Sequence, residues 1–316
     1  MSQGAPPEQP LLVITGPTAS GKTSLGLALA RHFDGELIGA DSVQVYRGFD
    51  IGSSKPNASE LAGIRHHLLD VRDADHPLDA VDFAALADAA IREVVARGRV
   101  PIVVGGSGLW LRALLRGLVQ LPPVDPQLRE RLDGEARALG TPALHERLKA
   151  LDPLAAKDIH PNDRVRVVRA LEVHEQTGSP LGALRASHAL GAPRYRALRI
   201  ALEVPPEELT QRIAARTRQM LSGGLVDEVR GLLTRLPRDA RALGSVGYRE
   251  VVEHLCDGIT LEETEHKINQ ATRIYARRQR TWLNNEPGEL WRASREDVLS
   301  PAGIERLRLF WSRTSG

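Results

Sequence analysis

The chain holds one cysteine, Cys256, among 316 residues. A lone thiol rules out an internal disulfide and any cysteine-rich zinc site, and it fits a reducing compartment. Long apolar runs are missing as well: none approaches the ~18 residues of a membrane-spanning helix. The opening Met1-Ser2-Gln3-Gly4-Ala5-Pro6-Pro7 lacks the basic and apolar regions of a secretion signal. Residues 1–9 are therefore expected to be a disordered lead-in, and the protein to be cytoplasmic with no membrane partner. There is no large charge of one sign. The net charge of +2 names no nucleic-acid partner by itself, so its distribution along the chain must decide. Hydrophobic content of 42% and charged content of 26% are ordinary for a globular protein, at a length that allows one large domain or two modest ones.

What is present begins at residue 16. Gly16-Pro17-Thr18-Ala19-Ser20-Gly21-Lys22-Thr23 is a complete G-x-x-x-x-G-K-[ST] loop. The apolar run Leu11-Leu12-Val13-Ile14 before it reads as a buried strand, and Leu25 to Phe33 after it as a helix start. Glycines let such a backbone fold around phosphate oxygens and aim its N–H groups at them. The helix terminus adds its positive end, Lys22 a mobile charge, and Thr23 a hydroxyl suited to Mg²⁺. The pattern predicts a grip on a di- or triphosphate and leaves ATP binding open.

Two further strands converge on that loop. Glu36-Leu37-Ile38-Gly39-Ala40 ends at Asp41-Ser42, and Val100-Pro101-Ile102-Val103-Val104 runs into Gly105-Gly106-Ser107-Gly108. Between them Phe83, Leu86, Ala90 and Val94 repeat at helical spacing, with Gly98 as the stop. Alternating strands and helices imply a parallel sheet that binds ligands beyond the carboxyl ends of its strands. A phosphate cradle, the Asp41 carboxylate and the Ser107 hydroxyl are thereby expected in one crevice. Asp41 could cap a turn, or hold Mg²⁺ through water, or take a proton from a nucleophile. The glycine-rich loop could equally be required for close helix–sheet packing. A strand ending in a metal-holding Asp, usual in nucleotide-hydrolysing enzymes of this class, is missing; His67-Leu68-Leu69-Asp70 is the nearest match.

Pro122-Pro123-Val124-Asp125-Pro126 breaks the alternation, and Leu128 to about Leu190 reads as helical before Tyr195 to Val204 resumes as strand. The fold class is thus α/β: a P-loop-type parallel sheet flanked by helices, with an all-helical insertion. The core is assigned to residues 10–122 and 195–316 and the insertion to 123–194. Positive charge concentrates late in the chain, since residues 161–200 hold seven arginines against three acids. A last long helix starts at a Thr260–Glu263 capping box. In it Ile268, Tyr275 and Trp282 mark an inner face, with Arg273, Arg277 and Arg280 on the opposite one. A solvated helix end accounts for some of these arginines; the whole stripe suits a nucleic-acid backbone.

Several segments together resemble the tRNA dimethylallyltransferases (isopentenyl-tRNA transferases), from about Leu11 to Trp291. They are the phosphate loop, Asp41-Ser42-Val43-Gln44-Val45-Tyr46, Asp50-Ile51-Gly52-Ser53-Ser54-Lys55-Pro56 and His66-His67-Leu68-Leu69-Asp70. Further on come Val104 to Trp110, Arg169-Ala170-Leu171-Glu172-Val173, Val246-Gly247-Tyr248-Arg249-Glu250 and Thr272 to Trp282. The resemblance implies transfer of a dimethylallyl group from its diphosphate to N6 of adenosine 37 beside the tRNA anticodon. By the family's pattern Gly16 to Thr23 hold the donor, Lys22 and Arg216 neutralise its diphosphate, and Thr23 with Mg²⁺ assists. Asp41 is the expected base, with Ser107 beside it. Asp41, Ser42, Val43, Gln44, Ser107, Arg129, Arg166, Arg169, Gly247, Tyr248 and Arg249 are expected at the tRNA, with Arg277, Arg278, Gln279, Arg280 and Trp282. The insertion would clamp the anticodon stem-loop, and the working form is expected to be a monomer.

The chain departs from the family pattern in two places. Ser107 replaces the usual Thr of the Gly-Gly-Thr-Gly loop, keeping the hydroxyl and losing a methyl group. Val165 replaces the glutamine of the Gln-Arg-x-x-Arg motif, ahead of Arg166 and Arg169. A zinc finger carried by some relatives has no counterpart. A small-molecule kinase, an enzyme that prenylates free adenylate, and a catalytically silent RNA-binding module remain as alternatives.

Overall fold

The computed structural model describes residues 10–119, 121–188 and 193–312, so the expected lead-in and the end of the helical stretch at Leu190 lie outside it. Among the described residues no helix is long and apolar enough to cross a membrane. Tertiary contacts divide the chain into two compact units. One runs up to Leu115 and resumes at Pro193; the other is the stretch between. The sequence placed that division at Pro122 and Tyr195. Leu121 packs against the core of the helical unit, which draws the preceding linker into it.

The first unit is built from β1 (Pro10–Thr15), α1 (Lys22–Phe33), β2 (Gly35–Ala40), α2 (Ala58–Leu61), β3 (His66–His67), α3 (Ala80–Ala96), β4 (Val100–Gly105) and α4 (Gly108–Arg116). The helical unit holds α5 (Pro126–Leu139), α6 (Thr141–Leu151), α7 (Pro153–Asp158), α8 (Arg164–Thr177) and α9 (Leu181–His188). The first unit then resumes with β5 (Arg196–Leu202), α10 (Pro206–Ser222), α11 (Leu225–Leu233), α12 (Tyr248–Asp257) and α13 (Leu261–Asn285). It ends with β6 (Trp291–Ala293), α14 (Arg295–Leu299) and α15 (Pro301–Ser312).

Six strands form one sheet in the order β3-β2-β4-β1-β5-β6, every described pairing parallel. The two innermost strands, β1 and β4, are almost wholly apolar because helices cover both faces. Val13 pairs with Val103 and with Arg199, and Leu37 pairs with Ile102. Leu12, Ile14, Leu37, Ile102, Val104 and Ile200 are buried against Leu25 and Leu29 of α1 and Leu307 of α15. Phe83 of α3 stacks on Trp110 of α4 with ring centroids 4.5 Å apart. The two edge strands were not legible in the sequence, since two or three residues are too few to set a period. Asp70, the nearest match to a hydrolytic Asp, follows β3 in a left-handed conformation (φ 54°) and ion-pairs with Lys55 at 2.6 Å.

The helical unit has its own apolar core of Leu132, Leu144, Leu148, Val167 and Leu171. One charge lies inside it. Glu172 is fully buried, pairs with Arg129, receives Arg169 at 2.8 Å and accepts the Asp125 N–H at 3.0 Å. Burial pushes its carboxyl up, but hydrogen bonds from Arg169 and Arg129 outweigh that and hold it below the usual carboxylate range. Stability from this group is therefore present above the unfolded carboxyl value and is lost as pH falls through the lower folded one. Glu172→Ala strands two arginines. It should destabilise the unit by about 3 kcal/mol, the low end for breaking a buried pair, because both arginines keep some access to water. Urea unfolding followed by circular dichroism at neutral pH, against Glu146→Ala as a surface reference, checks this.

Candidate active site

Between β1 and α1 the phosphate loop is shaped by its glycines. Gly16 has φ 148° and a Cβ there would come within 3.0 Å of the Leu202 carbonyl on β5, while Gly21 has φ 87°. Helix α1 starts with no side-chain cap and no acidic residue in its first turn. Its first N–H groups are thus left to an anion. By contrast α3 and α13 are capped by Asp79 and Thr260. The Ser20 hydroxyl is buried and has no hydrogen-bond partner among the described residues, so the loop holds a polar atom waiting for one.

Two cations enter this loop. Lys22 Nζ donates to the Pro17 carbonyl at 2.7 Å. Arg216 comes from α10 and donates to Thr18 Oγ1 at 3.2 Å and to the Ser53 carbonyl at 3.3 Å. Burial lowers the Lys22 ammonium to about 8; the Asp41 charge opposes this and Arg216 adds to it. Burial likewise lowers Arg216, against the pull of Asp41 and Tyr248. Both cations are half-buried and lose part of their hydration, and Asp41 is the carboxylate that acts on both.

Asp41 follows β2. Its Oδ1 accepts the N–H groups of Val43 at 2.9 Å and Gln44 at 3.3 Å, so it does cap a turn. Oδ2 makes no hydrogen bond among the described residues. The Ser107 hydroxyl accepts the Ser42 N–H at 3.2 Å, and Gln44 donates to the carbonyls of Ser53 and Ser54. The chemical and the structural readings of this turn are therefore compatible: one oxygen holds the backbone, the other is not used by it, and the carboxylate charge acts on Lys22 and Arg216.

The glycines of the Gly105 to Gly108 loop serve packing. A Cβ would lie 2.1 Å from the Ala40 carbonyl at Gly105, 2.2 Å from Gln279 Nε2 at Gly106 and 2.3 Å from the Trp282 ring at Gly108. Helix α13 presses on this loop, and its inner face differs from the expected one. Ile268, Ala276, Gln279 and Leu283 are buried. Gln279 accepts the Thr18 N–H at 2.7 Å and donates to the Gly106 carbonyl at 3.0 Å, joining the two glycine-rich loops. Tyr275, one turn earlier, is 37% exposed overall, but burial and the Asp41 charge push its hydroxyl up to about 12, offset in part by hydrogen bonds with Ser107 and Gln279.

Several residues expected at an RNA surface lie elsewhere. Tyr248 is fully buried, its hydroxyl bonded to Glu228 and its ring 4.7 Å from Phe49. Gly247 is buried too, so of that triplet only Arg249 reaches solvent, paired with Glu250. Gln279 is interior, and Trp282 is packed on Gly108 with Arg112 5.5 Å above its ring. In the helical unit Arg129 and Arg169 are held by Glu172, whereas Arg166 has a side chain 67% exposed and pairs with Asp163 at 3.4 Å. Val165 is 71% exposed. Nothing in the structure explains valine there. Arg273, Arg277, Arg278 and Arg280 are exposed with no ion pair among the described residues. Arg277 and Arg280 line a cleft of about 760 Å³ with Thr281, Asn284 and Pro17 of the phosphate loop. Sequence reasoning missed Glu228 and Tyr275; the Tyr275–Gln279–Trp282 spacing opposite Ser107, Gly106 and Gly108 was the available signal for the second.

The family model described as IPP transferase matches residues 44–286. The chain belongs to the IPP transferase family. It is 52% identical over 288 residues to the tRNA dimethylallyltransferase of Anaeromyxobacter sp. strain K, covering 91% of this chain and 94% of that one. It is 49% identical to tRNA dimethylallyltransferase 1 of Pelobacter propionicus, covering 89% and 91%. Among solved structures, the full-length tRNA isopentenylpyrophosphate transferase of Bacillus halodurans matches at TM-score 0.68 and 37% identity, over 97% of this chain and 96% of that one. A eukaryotic dimethylallyltransferase solved while acting on tRNA matches at TM-score 0.79 and 26% identity, over 96% and 80%. These family members share the parallel α/β fold.

The lowered Lys22 value has a functional sign. Lys22 is charged below about 8, and a bound diphosphate favours that form, so binding takes up a proton above it. Pyrophosphate itself changes charge in this range, so the readout is the ratio of the wild-type dissociation constant to that of Lys22→Arg, in which the ligand's ionisations cancel. That ratio should be nearly constant from pH 6.5 to 7.5 and rise as pH passes through about 8 and above. Calorimetric titration across pH 6.5–9.5 measures both.

Proposed function

We infer that the chain transfers a dimethylallyl group from dimethylallyl diphosphate to N6 of the adenosine beside the anticodon of tRNA, releasing diphosphate. Membership of the family supports the reaction. One observation supports the roles within it: Lys22, Arg216 and Asp41 form a single electrostatic group at the mouth of a phosphate loop.

In this reading the N6 lone pair attacks the first carbon of the dimethylallyl group. The carbon–oxygen bond breaks, its electron pair goes to the diphosphate, and the N6 proton goes to Asp41. An exocyclic amine is a weak nucleophile, so a carboxylate already held at one oxygen by the turn at Val43 is suited to receive that proton. The leaving diphosphate gains negative charge as the bond lengthens. Lys22, Arg216 and the free N–H groups of α1 stand ready for it without reorganising. Lys22 would leave the Pro17 carbonyl for a phosphate oxygen, and Ser20 would find there the partner it lacks. The base must leave its stack to reach this centre, which a single-stranded loop permits more readily than a duplex.

Mg²⁺ suits the available donors. Among the described residues there is no cluster of three or more His, Cys, Asp or Glu side chains. Thr23 and the diphosphate oxygens are the kind of sparse oxygen set that Mg²⁺ accepts while keeping its waters. Held there, it would neutralise further charge on the leaving group. The anticodon stem-loop is the RNA element this reading assigns to the exposed arginines of α13 and to Arg166, with the protein acting as a monomer.

Incubation with dimethylallyl diphosphate and unmodified tRNA, followed by nucleoside mass analysis, should give a prenylated adenosine, and ATP should not be hydrolysed. ATP turnover without alkyl transfer would replace this reading with a kinase. Asp41→Asn should lower turnover by roughly 10²–10⁴-fold with tRNA affinity nearly unchanged. Equal losses in both would make Asp41 a residue that positions RNA. Replacing Arg277 or Arg280 should weaken tRNA binding and flatten its log–log salt dependence by about one unit each, while Lys22→Ala leaves that slope alone. Filter binding across a salt series gives the slopes.

A further inference from the structure

The turn at residues 50–55 is held by a carboxylate from far along the chain. Glu228 Oε2 accepts the N–H groups of Asp50 at 3.1 Å and Ile51 at 2.7 Å, and Oε1 accepts that of Gly52 at 3.1 Å. Three successive backbone donors thus converge on one side chain, the arrangement in which a backbone binds an anion. The Tyr248 hydroxyl donates to the same Oε1 at 2.7 Å. The turn is pressed onto the Tyr248 ring so closely that a Cβ at Gly52 would lie 2.5 Å from it. With its N–H groups fixed on one side, the turn presents the Ser53 carbonyl on the other, to Arg216 at 3.3 Å and to Gln44 at 3.0 Å.

We propose that Glu228 is a positioning residue for the donor site: it fixes the Asp50–Gly52 turn so that the Ser53 carbonyl aims the Arg216 guanidinium into the phosphate loop. This rests on the reading that Arg216 holds the donor diphosphate. Among the described residues Arg216 has two hydrogen-bond anchors, Thr18 Oγ1 and Ser53 O. Thr18 belongs to the loop that must adapt to the ligand, so the Ser53 carbonyl is the anchor that stays in place when a diphosphate enters. A guanidinium held in advance loses less freedom on binding than one that must be captured from solvent.

Glu228→Gln tests the proposal. It keeps the shape but sets an amide N–H₂ against backbone donors, which frees the turn on at least one side. Pyrophosphate titrated calorimetrically without RNA isolates the Arg216 arm from the Gln44 arm. Affinity for pyrophosphate should fall about tenfold, or about 1.4 kcal/mol. The KM for dimethylallyl diphosphate should rise by a similar factor, with kcat at saturating donor changed much less. Tyr248→Phe removes one bond to the same carboxylate and the hydroxyl's hydrogen bond with the Ser53 backbone, and keeps the three bonds from Glu228 to the turn, so it should shift both constants in the same direction. It also serves if Glu228→Gln fails to fold. Arg230→Ala, a neighbouring exposed change on α11, should leave both constants unaltered. Lowered thermal stability with unchanged pyrophosphate affinity in both variants would overturn the proposal and leave Glu228 a structural residue. A wild-type protein that binds no pyrophosphate would overturn the donor reading, and this role with it.

Discussion

Two partly dehydrated cations beside one carboxylate are the constraint around which the first unit is arranged. Lys22 and Arg216 repel each other, and both lose hydration by being sunk into the fold. Asp41 compensates each only in part. Such a group is costly while empty and favourable once an anion arrives, which is how a site comes to prefer a diphosphate over water. The sheet makes the arrangement possible. With β1 between β4 and β5, the phosphate loop opens beside the glycine-rich loop, and Asp41, just after β2, lies one strand further along the same rim.

Holding the rim in shape falls to polar side chains that are buried or half-buried. Gln279 ties the Thr18 N–H to the Gly106 carbonyl, and Ser107 ties the Ser42 N–H to the neighbouring loop. Glu228 does the same for the turn after residue 50. Each supplies a partner to backbone groups that irregular segments would otherwise leave unpaired next to the site. The glycines belong to the same economy of space. Gly105, Gly106 and Gly108 let α13 and β2 approach closely enough for these bonds to form. In the helical unit the strongest charges are internal as well. Glu172 takes up Arg129 and Arg169, and Arg166 is left facing solvent.

Much of the fold was legible because its signals are local. Strands β1, β2, β4 and β5 are short apolar runs, the capping box at Thr260 starts α13, and the break at Pro122 announces the helices that follow. The phosphate loop was legible for the same reason, its eight residues being contiguous in the chain. The inner face of α13 was misread. Tyr275 and Trp282 look like core residues by spacing, yet a polar glutamine takes the buried position, because its amide matches the Thr18 N–H and Gly106 carbonyl it meets there. Tyr248 was misassigned in the opposite sense. The family resemblance put it at the tRNA, but its ring packs under Gly52 and its hydroxyl bonds Glu228.

By itself the sequence determined the phosphate loop, the parallel sheet around it, the placement of Asp41 and Ser107 at strand ends, and the family. All of these follow from residues close together in the chain, where backbone geometry and hydrophobic period act directly. Only the tertiary structure decided which polar residues face inward and what each one holds. Gln279 and Thr18 are 261 positions apart and Glu228 and Asp50 are 178 apart. No local rule links them, since a side chain's hydrogen-bond partner is set by which elements the sheet and helices bring together.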